Sequence, residues 1–191
     1  MLVTLGPRPV AGDLIDRLLD CHRRIRWFAT MAVRLTSFEP TSPDQIRTTA
    51  QAVRRYLTEG LPLHVADEDF SIAPRVRGHD HATDDACERA AVEHAELEPL
   101  VAAVVAACTM LEADPGRIDA IAPDLAPVAT RLHAALVAHL DHEERHLFPA
   151  IRALGAGAHA QIVREMRGRR AAPASRADRR ERPTRPLQIH R

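Results

Sequence analysis

The sequence predicts an all-α protein: an up-down-up-down four-helix bundle with a short fifth helix and a disordered basic C-terminal tail. Three observations predict it. Aromatic residues make up only 3% of the 191 residues, and Ala and Leu dominate an apolar fraction of 46%, a composition that favours helices over a β-sandwich. Long stretches with apolar residues at helical spacing are separated by short loops rich in Pro, Gly, Asp and Ser. Finally, the second half of the chain repeats the first in fixed register.

The first helix is expected from about Asp13 to Thr36, ending at the loop "SFEPTSPD". Ser42 reads as the N-cap of the second, with Pro43 at the first helical position and Gln45 completing a capping box. This helix should reach about Arg77, kinked rather than broken at Gly60 and Pro62. After "GHDHA", Thr83 reads as the cap of a third helix running to about Ala113, with Asp84 and Asp85 near its positive end. Past the turn "DPGRID", a fourth helix is expected from about Pro123 to Leu154, and "GAG" stops it. His159 to Arg167 form the short fifth helix. The organisation is therefore an N-terminal extension (1–12), a bundle (13–167) and a tail (168–191).

Every one of the 26 basic residues is arginine, and the formal net charge is zero. The charge is uneven: Arg167 to Arg191 hold nine Arg against Asp178 and Glu181, so the body is acidic. The tail has too few large apolar residues to fold alone. Its charge suits nucleic acid or an acidic partner, but no base-reading module accompanies it, and sequence-specific nucleic-acid binding is not expected. Cys21, Cys87 and Cys108 stand singly, which points to a reducing, cytoplasmic setting. The start "MLVTLGPRPVAGD" does not read as a signal peptide, and no run of eighteen apolar residues predicts a membrane span. GxGxxG, P-loop and GxSxG motifs are absent.

The repeat carries the chemistry. "LPLHVADEDFSIAPRV", from Leu61, aligns with "LVAHLDHEERHLFPAI", from Leu136. The pairs Leu61/Leu136, His64/His139, Glu68/Glu143 and Pro74/Pro149 are identical, and Asp69/Glu144 agree in charge. Upstream, His22 in "LLDCHRRI" stands to His94 in "AVEHAELE" at nearly the same interval. Residues four apart share a helix face, so His64 with Glu68, and His139 with Glu143, point the same way. Two related helical hairpins would gather four imidazoles and two carboxylates inside one bundle, with Glu98, four residues after His94, as a further donor. Buried without partners, such groups are very costly; bound cations make them ligands. A carboxylate can bridge two ions and an imidazole serves only one. Glu68 and Glu143 are therefore assigned as bridges, and the four His as terminal ligands. Mixed nitrogen and oxygen donors suit non-haem iron, and manganese and zinc share the ligand type.

"HVADEDFSIAP" and "HLDHEERHLFP" resemble the two HxxxE(E/D) signatures of the hemerythrin-like, or HHE cation-binding, domains, over roughly residues 10–167. The resemblance implies a four-helix bundle around an oxo- or hydroxo-bridged diiron centre. It implies His22, His64, His94 and His139 as terminal ligands, and Glu68 and Glu143 as bridges. Two departures from the oxygen carriers stand out: Glu98 replaces a second third-helix His, and the last signature is HxxxE rather than HxxxxD. They fit the wider bacterial set, linked to oxygen sensing, peroxide breakdown, nitric oxide response or iron handling. The expected ligands are O2, peroxide or NO, with any electron donor external. A peroxide-decomposing enzyme and a redox, oxygen or iron sensor acting through protein interaction are the competing readings.

Around this set, Asp69 and Glu144 are expected to hold ligand histidines by their other ring nitrogen. His146 reads as a group above the centre or in solvent, and His142, His79 and His81 as solvated. Ile25, Leu61, Leu97 and Leu136 read as core residues that wall the site, and Trp27 and Phe28 as packing.

Overall fold

In the computed structural model, which describes residues 13–37 and 42–171, every regular element is helical. The first, α1 (Leu14–Ser37), starts at Asp13, whose carboxylate accepts the Asp16 N–H at 3.0 Å. The second stretch, α2 (Pro43–Arg55), starts as expected at Ser42, whose hydroxyl accepts the Gln45 N–H. It then continues through a π turn (Tyr56–Gly60), α3 (Leu61–Asp67), a second π turn (Glu68–Ile72) and α4 (Ala73–Val76). Next come α5 (His81–Ala113), a 3₁₀ turn (Pro115–Arg117), α6 (Ile118–His146), α7 (Phe148–Ala153) and α8 (Ala156–Ala171).

The expected kink proves to be two wide turns, and prolines explain them. Proline has no N–H to give the carbonyl four residues back, and its ring crowds that carbonyl, so the helix widens just upstream. Pro62 follows the first π turn and Pro74 the second. The dihedrals at the junctions stay right-handed helical, so the rod is continuous. Gly60 is required where it stands: a Cβ there would meet the Tyr56 ring at 2.8 Å. Pro149, the counterpart of Pro74, marks the junction between α6 and α7. The repeated proline therefore marks an irregularity just past the His-Glu pair in both copies.

Boundaries differ from the sequence reading in three helices. Asp80, not Thr83, caps α5, because its carboxylate accepts the Thr83 N–H at 2.7 Å and helix begins at His81. The fourth long helix begins at Ile118, with Pro123 and Pro127 inside it. The last helix is longer than expected and continues past Arg167 through Gly168–Ala171, because Arg169 and Arg170 are pinned to Asp67. The expected extension (1–12) and the tail from 172 onward lie outside the described residues.

Packing closes a circuit: α1 lies against α2 and α6, and α5 against α2 and α6. The apolar interior falls into two clusters. One includes Ile25, Leu61, Leu97, Leu136 and Leu140. The other includes Leu18, Ile72, Cys87, Leu147 and Phe148. Along α1, His22 falls between Leu18 and Ile25; along α6, Glu143 falls between Leu140 and Leu147. A polar layer is thus held between two apolar ones. By length and composition alone α5 could cross a membrane, which counting unbroken apolar residues did not show. Here it packs along α6 and α2 and buries Val104, Ala107, Cys108 and Leu111.

Candidate metal centre

Four helical rods each deliver part of the polar layer: His22 from α1, His64 and Glu68 from α3 and the second π turn that continues it, His94 from α5, and His139 and Glu143 from α6. The donor atoms form two overlapping quartets, each within 4.8 Å: His22, His64, Glu68 and Glu143, and then Glu68, His94, His139 and Glu143. Each imidazole belongs to one quartet and each carboxylate to both.

The carboxylates are shared oxygen by oxygen. Glu68 sets Oε1 at 2.8 Å from His64 Nε2 and Oε2 at 3.3 Å from His94 Nε2. Glu143 sets Oε2 at 3.5 Å from His22 Nε2 and Oε1 at 3.4 Å from His139 Nε2. Each glutamate therefore gives one oxygen to each quartet. The His22 and His64 rings lie 5.2 Å apart, edge to face, and the His94 and His139 rings 4.7 Å apart.

Burial is deep: His22 is 0% exposed, Glu143 1%, His64 2% and His139 3%. Yet His22 Nε2, His64 Nε2, Glu68 Oε2 and both Glu143 oxygens have no aligned hydrogen-bond partner. At roughly 1–3 kcal/mol for each unsatisfied buried group, more for charged ones, the total rivals a small domain's whole stability of about 5–15 kcal/mol. Cations drawing on these same lone pairs remove the penalty, so the donor set fits metal.

With protons as the only positive charges, the cluster is divided against itself. Burial, with His64 beside it, lowers His22 to about 4. Burial opposes charge on His64 too, but the Glu68 carboxylate outweighs it, aided by the Cys21 thiol, and holds His64 well above its ordinary value. Glu68 is held well below the carboxylate range, its burial outweighed by His64 and His94. Glu143 is driven well above it by burial and by the Glu68 charge. Divalent ions would replace this patchwork with neutral imidazoles and two carboxylates.

Further carboxylates set the rings. Glu144 Oε1 lies 2.8 Å from His22 Nδ1 and also accepts from Arg26 at 2.8 Å. Glu93 Oε2 lies 2.8 Å from His139 Nδ1, while its Oε1 accepts from Arg89 at 2.7 Å. In both chains an arginine orients a carboxylate, the carboxylate fixes Nδ1, and Nε2 faces the centre. Glu144 takes the role expected of it, and Asp69 stands 3.7 Å from His94 Nδ1. Glu93 was not anticipated. Its sequence signal is Arg89 four residues earlier and His94 beside it, but its real target is across the helix interface.

Glu98 is not brought to the centre. His94 sits at the margin of the inward face, and the roughly 40° of a four-residue step carries Glu98 to the exposed side while Leu97 turns inward. Pro99 lies inside an unbroken α5. His146 is exposed and pairs with His142, ring centroids 4.5 Å apart; His79 and His81 are exposed.

Beside this geometry stand the comparisons with known proteins. No curated protein and no solved structure matches the chain. The family model described as "Hemerythrin HHE cation binding domain" matches residues 13–122, more than half of the sequence, including His22, His64, Glu68 and His94. His139 and Glu143 lie beyond the matched stretch, and the packing of α6 brings them to the same centre. The chain belongs to the hemerythrin HHE cation-binding family, with a buried His/Glu cluster fit for metal.

Proposed function

We propose that this chain is a non-haem diiron protein whose centre binds or reacts with a small oxidant: O2, peroxide or NO. One observation carries the reading: Glu68 and Glu143 each give one oxygen to each quartet. A single ion would not need two such sets; two bridged ions would. Two imidazoles and two carboxylate oxygens per position leave room for exogenous ligands on an ion that accepts up to six donors, and nitrogen with oxygen suits iron. When bound, such ions supply one-electron redox chemistry that no side chain here offers.

The protein's own part is to fix and enclose. Arg26–Glu144 and Arg89–Glu93 orient His22 and His139. Leu61, Leu97, Leu136 and Leu140 form an apolar layer on one side, and Leu147 and Phe148 on the other. We read the four long rods as an up-down-up-down bundle, the short loops supporting antiparallel neighbours. The bundle would be followed by a separate basic segment, in a cytoplasmic protein with its three cysteines free. The electron donor would be external.

A second reading, as a sensor, has an observation of its own. Asp67, adjacent to Glu68 and 0% exposed, holds Arg169 and Arg170 at the point where the basic segment begins. Elemental analysis of protein made with ample iron tests the main reading, with an absorption spectrum in air. About two irons per chain with near-ultraviolet bridge bands are expected. A folded helical protein that refuses ferrous iron would refute it. Peroxide turnover then separates the two roles: many equivalents consumed per site for an enzyme, about one for a sensor.

A further inference from the structure

Three of the four clustered imidazoles have a carboxylate at the ring nitrogen that faces away from the centre. His22 Nδ1 has Glu144 at 2.8 Å, His139 Nδ1 has Glu93 at 2.8 Å, and His94 Nδ1 has Asp69 at 3.7 Å. Among the described residues, His64 is the exception. Its Nε2 is turned to Glu68 at 2.8 Å, and its Nδ1 is buried without an aligned hydrogen-bond partner, in a residue 2% exposed. An imidazole that gives Nε2 to an ion carries its proton on Nδ1, and a buried N–H needs an acceptor.

The Cys21 thiol reaches the His64 ring from α1. With Nε2 committed to Glu68, Nδ1 is the atom left to meet it. Cys21 immediately precedes His22, and one step along a helix turns by about 100°. His22 therefore enters the centre while Cys21 is directed at α3 and α8. The sulfur is itself held: Arg170 Nη2, near the end of α8, lies 4.0 Å from Cys21 Sγ and 2.6 Å from Asp67 Oδ2. One guanidinium joins α1 to α3 beside His64.

We propose that Cys21 is a positioning residue for the metal centre: its sulfur accepts the Nδ1–H of His64 when Nε2 binds an ion, and Arg170 holds the sulfur in place, so that α8 is linked to the His22/His64 position. The other three imidazoles rest on carboxylates, which raise the basicity of a ligand, whereas sulfur is a weak acceptor. His64 is therefore the most weakly driven ligand of the four. This rests on the metal-binding reading above and requires no particular metal, since any ion drawing on Nε2 sets up the same bond.

The test uses the full chain with zinc alone as the probe, so no turnover is involved. In chelator competition, Cys21→Ala should weaken one of the two zinc positions by about tenfold, the low end for such partners, and leave the other within about twofold. Cys21→Ser, whose hydroxyl also accepts, should recover most of the loss. Arg170→Ala should weaken the same position by about threefold and add nothing to Cys21→Ala, because the link runs through the thiol. In heteronuclear spectra of the zinc-loaded protein, Cys21→Ala should move the ring N–H signal of His64 and not that of His139. Equal loss in the Ala and Ser variants, no loss in either, or additive effects of Arg170→Ala and Cys21→Ala would overturn the proposal. A variant that fails to fold is replaced by iodoacetamide alkylation of the folded, zinc-loaded wild type, which meets Cys21 because Cys87 and Cys108 are buried. An unmoved His64 signal would again overturn it. A wild type that takes up no zinc sinks the metal-binding reading; one that binds zinc and shows none of these effects sinks only the link through Cys21.

Discussion

The His22/His64 quartet and the His94/His139 quartet descend from one pattern and have the same donors, yet they sit in different surroundings. In the first, Arg26 and Glu144 fix His22, Phe148 covers it, and α8 presses on the helix that carries His64. In the second, Arg89 and Glu93 fix His139, but His94 is only half-buried and borders a surface cleft. Identical donors do not make identical surroundings: what lies one layer out decides which imidazoles are covered and which border the surface. The lesson is about packing, because chemical type is matched donor for donor.

The largest effect should come from the groups the two quartets share. Glu68→Ala removes an oxygen from both and should take iron content from about two per chain to near zero. His64→Ala and His94→Ala should each spare the opposite position more, and elemental analysis of the three proteins reads the difference directly. If Glu68→Ala retained both ions, sharing would be disproved.

The clamp from α8 should come next. Asp67 is fully buried, with Arg169 Nε at 2.7 Å and Arg170 at 2.6 Å. Replacing both arginines by Ala leaves a buried carboxylate without its partners, a loss of about 3 kcal/mol. Urea unfolding should show it as a lower midpoint. The additional replacement Asp67→Asn should recover part of the loss; no recovery would mean the arginines act through packing alone.

Smaller and more discriminating effects are expected at the orienting carboxylates. Glu144→Gln and Glu93→Gln keep shape but lose the charge that fixes Nδ1, at a cost of about 10–100-fold in metal affinity. Chelator competition should find the loss at one position per variant, the His22/His64 one for Glu144 and the His94/His139 one for Glu93. Equal weakening of both ions by either change would show that the two positions behave as a unit.

The smallest effect is a pH dependence of the clamp. Hydrogen bonds from Ser71 and then Arg75 hold Glu165 below its ordinary carboxylate value. A depressed folded value means stability that is present above the unfolded value and lost as pH falls through the folded one. Amide exchange in α8 should therefore accelerate below about pH 4.5, near the ordinary Glu value. Glu165→Gln should exchange faster already at neutral pH and lose most of that acid dependence. The His94/His139 side, which α8 does not cover, should not share the change.

Helical class, the cap at Ser42 and the clustering of His22, His64, Glu68, His94, His139 and Glu143 were legible in the chain, because each rests on local rules. Period and proline position dictate helix and its irregularities, and a His-Glu step of four fixes a shared face. Where a local rule met a competitor, it failed. Thr83 looked like a cap until Asp80 accepted its N–H, and Arg167 looked like an end until Arg169 and Arg170 found Asp67. Glu98 had the right spacing from His94, but spacing gives an angle on a helix and not the direction of the core.

By itself, then, the sequence determined which residue types would meet and on which helices they would ride. Only the tertiary structure decided that Glu93 from α5 would hold His139 on α6. It also decided that each shared glutamate would divide its oxygens between two quartets, and that His94 would border a surface cleft between α4 and α5 while His22 and His64 would not. The physical reason is range. Periodicity, capping and spacing act within about a turn of helix. Access and orientation are set where separate helices pack, between residues such as Glu93 and His139 that lie far apart along the chain.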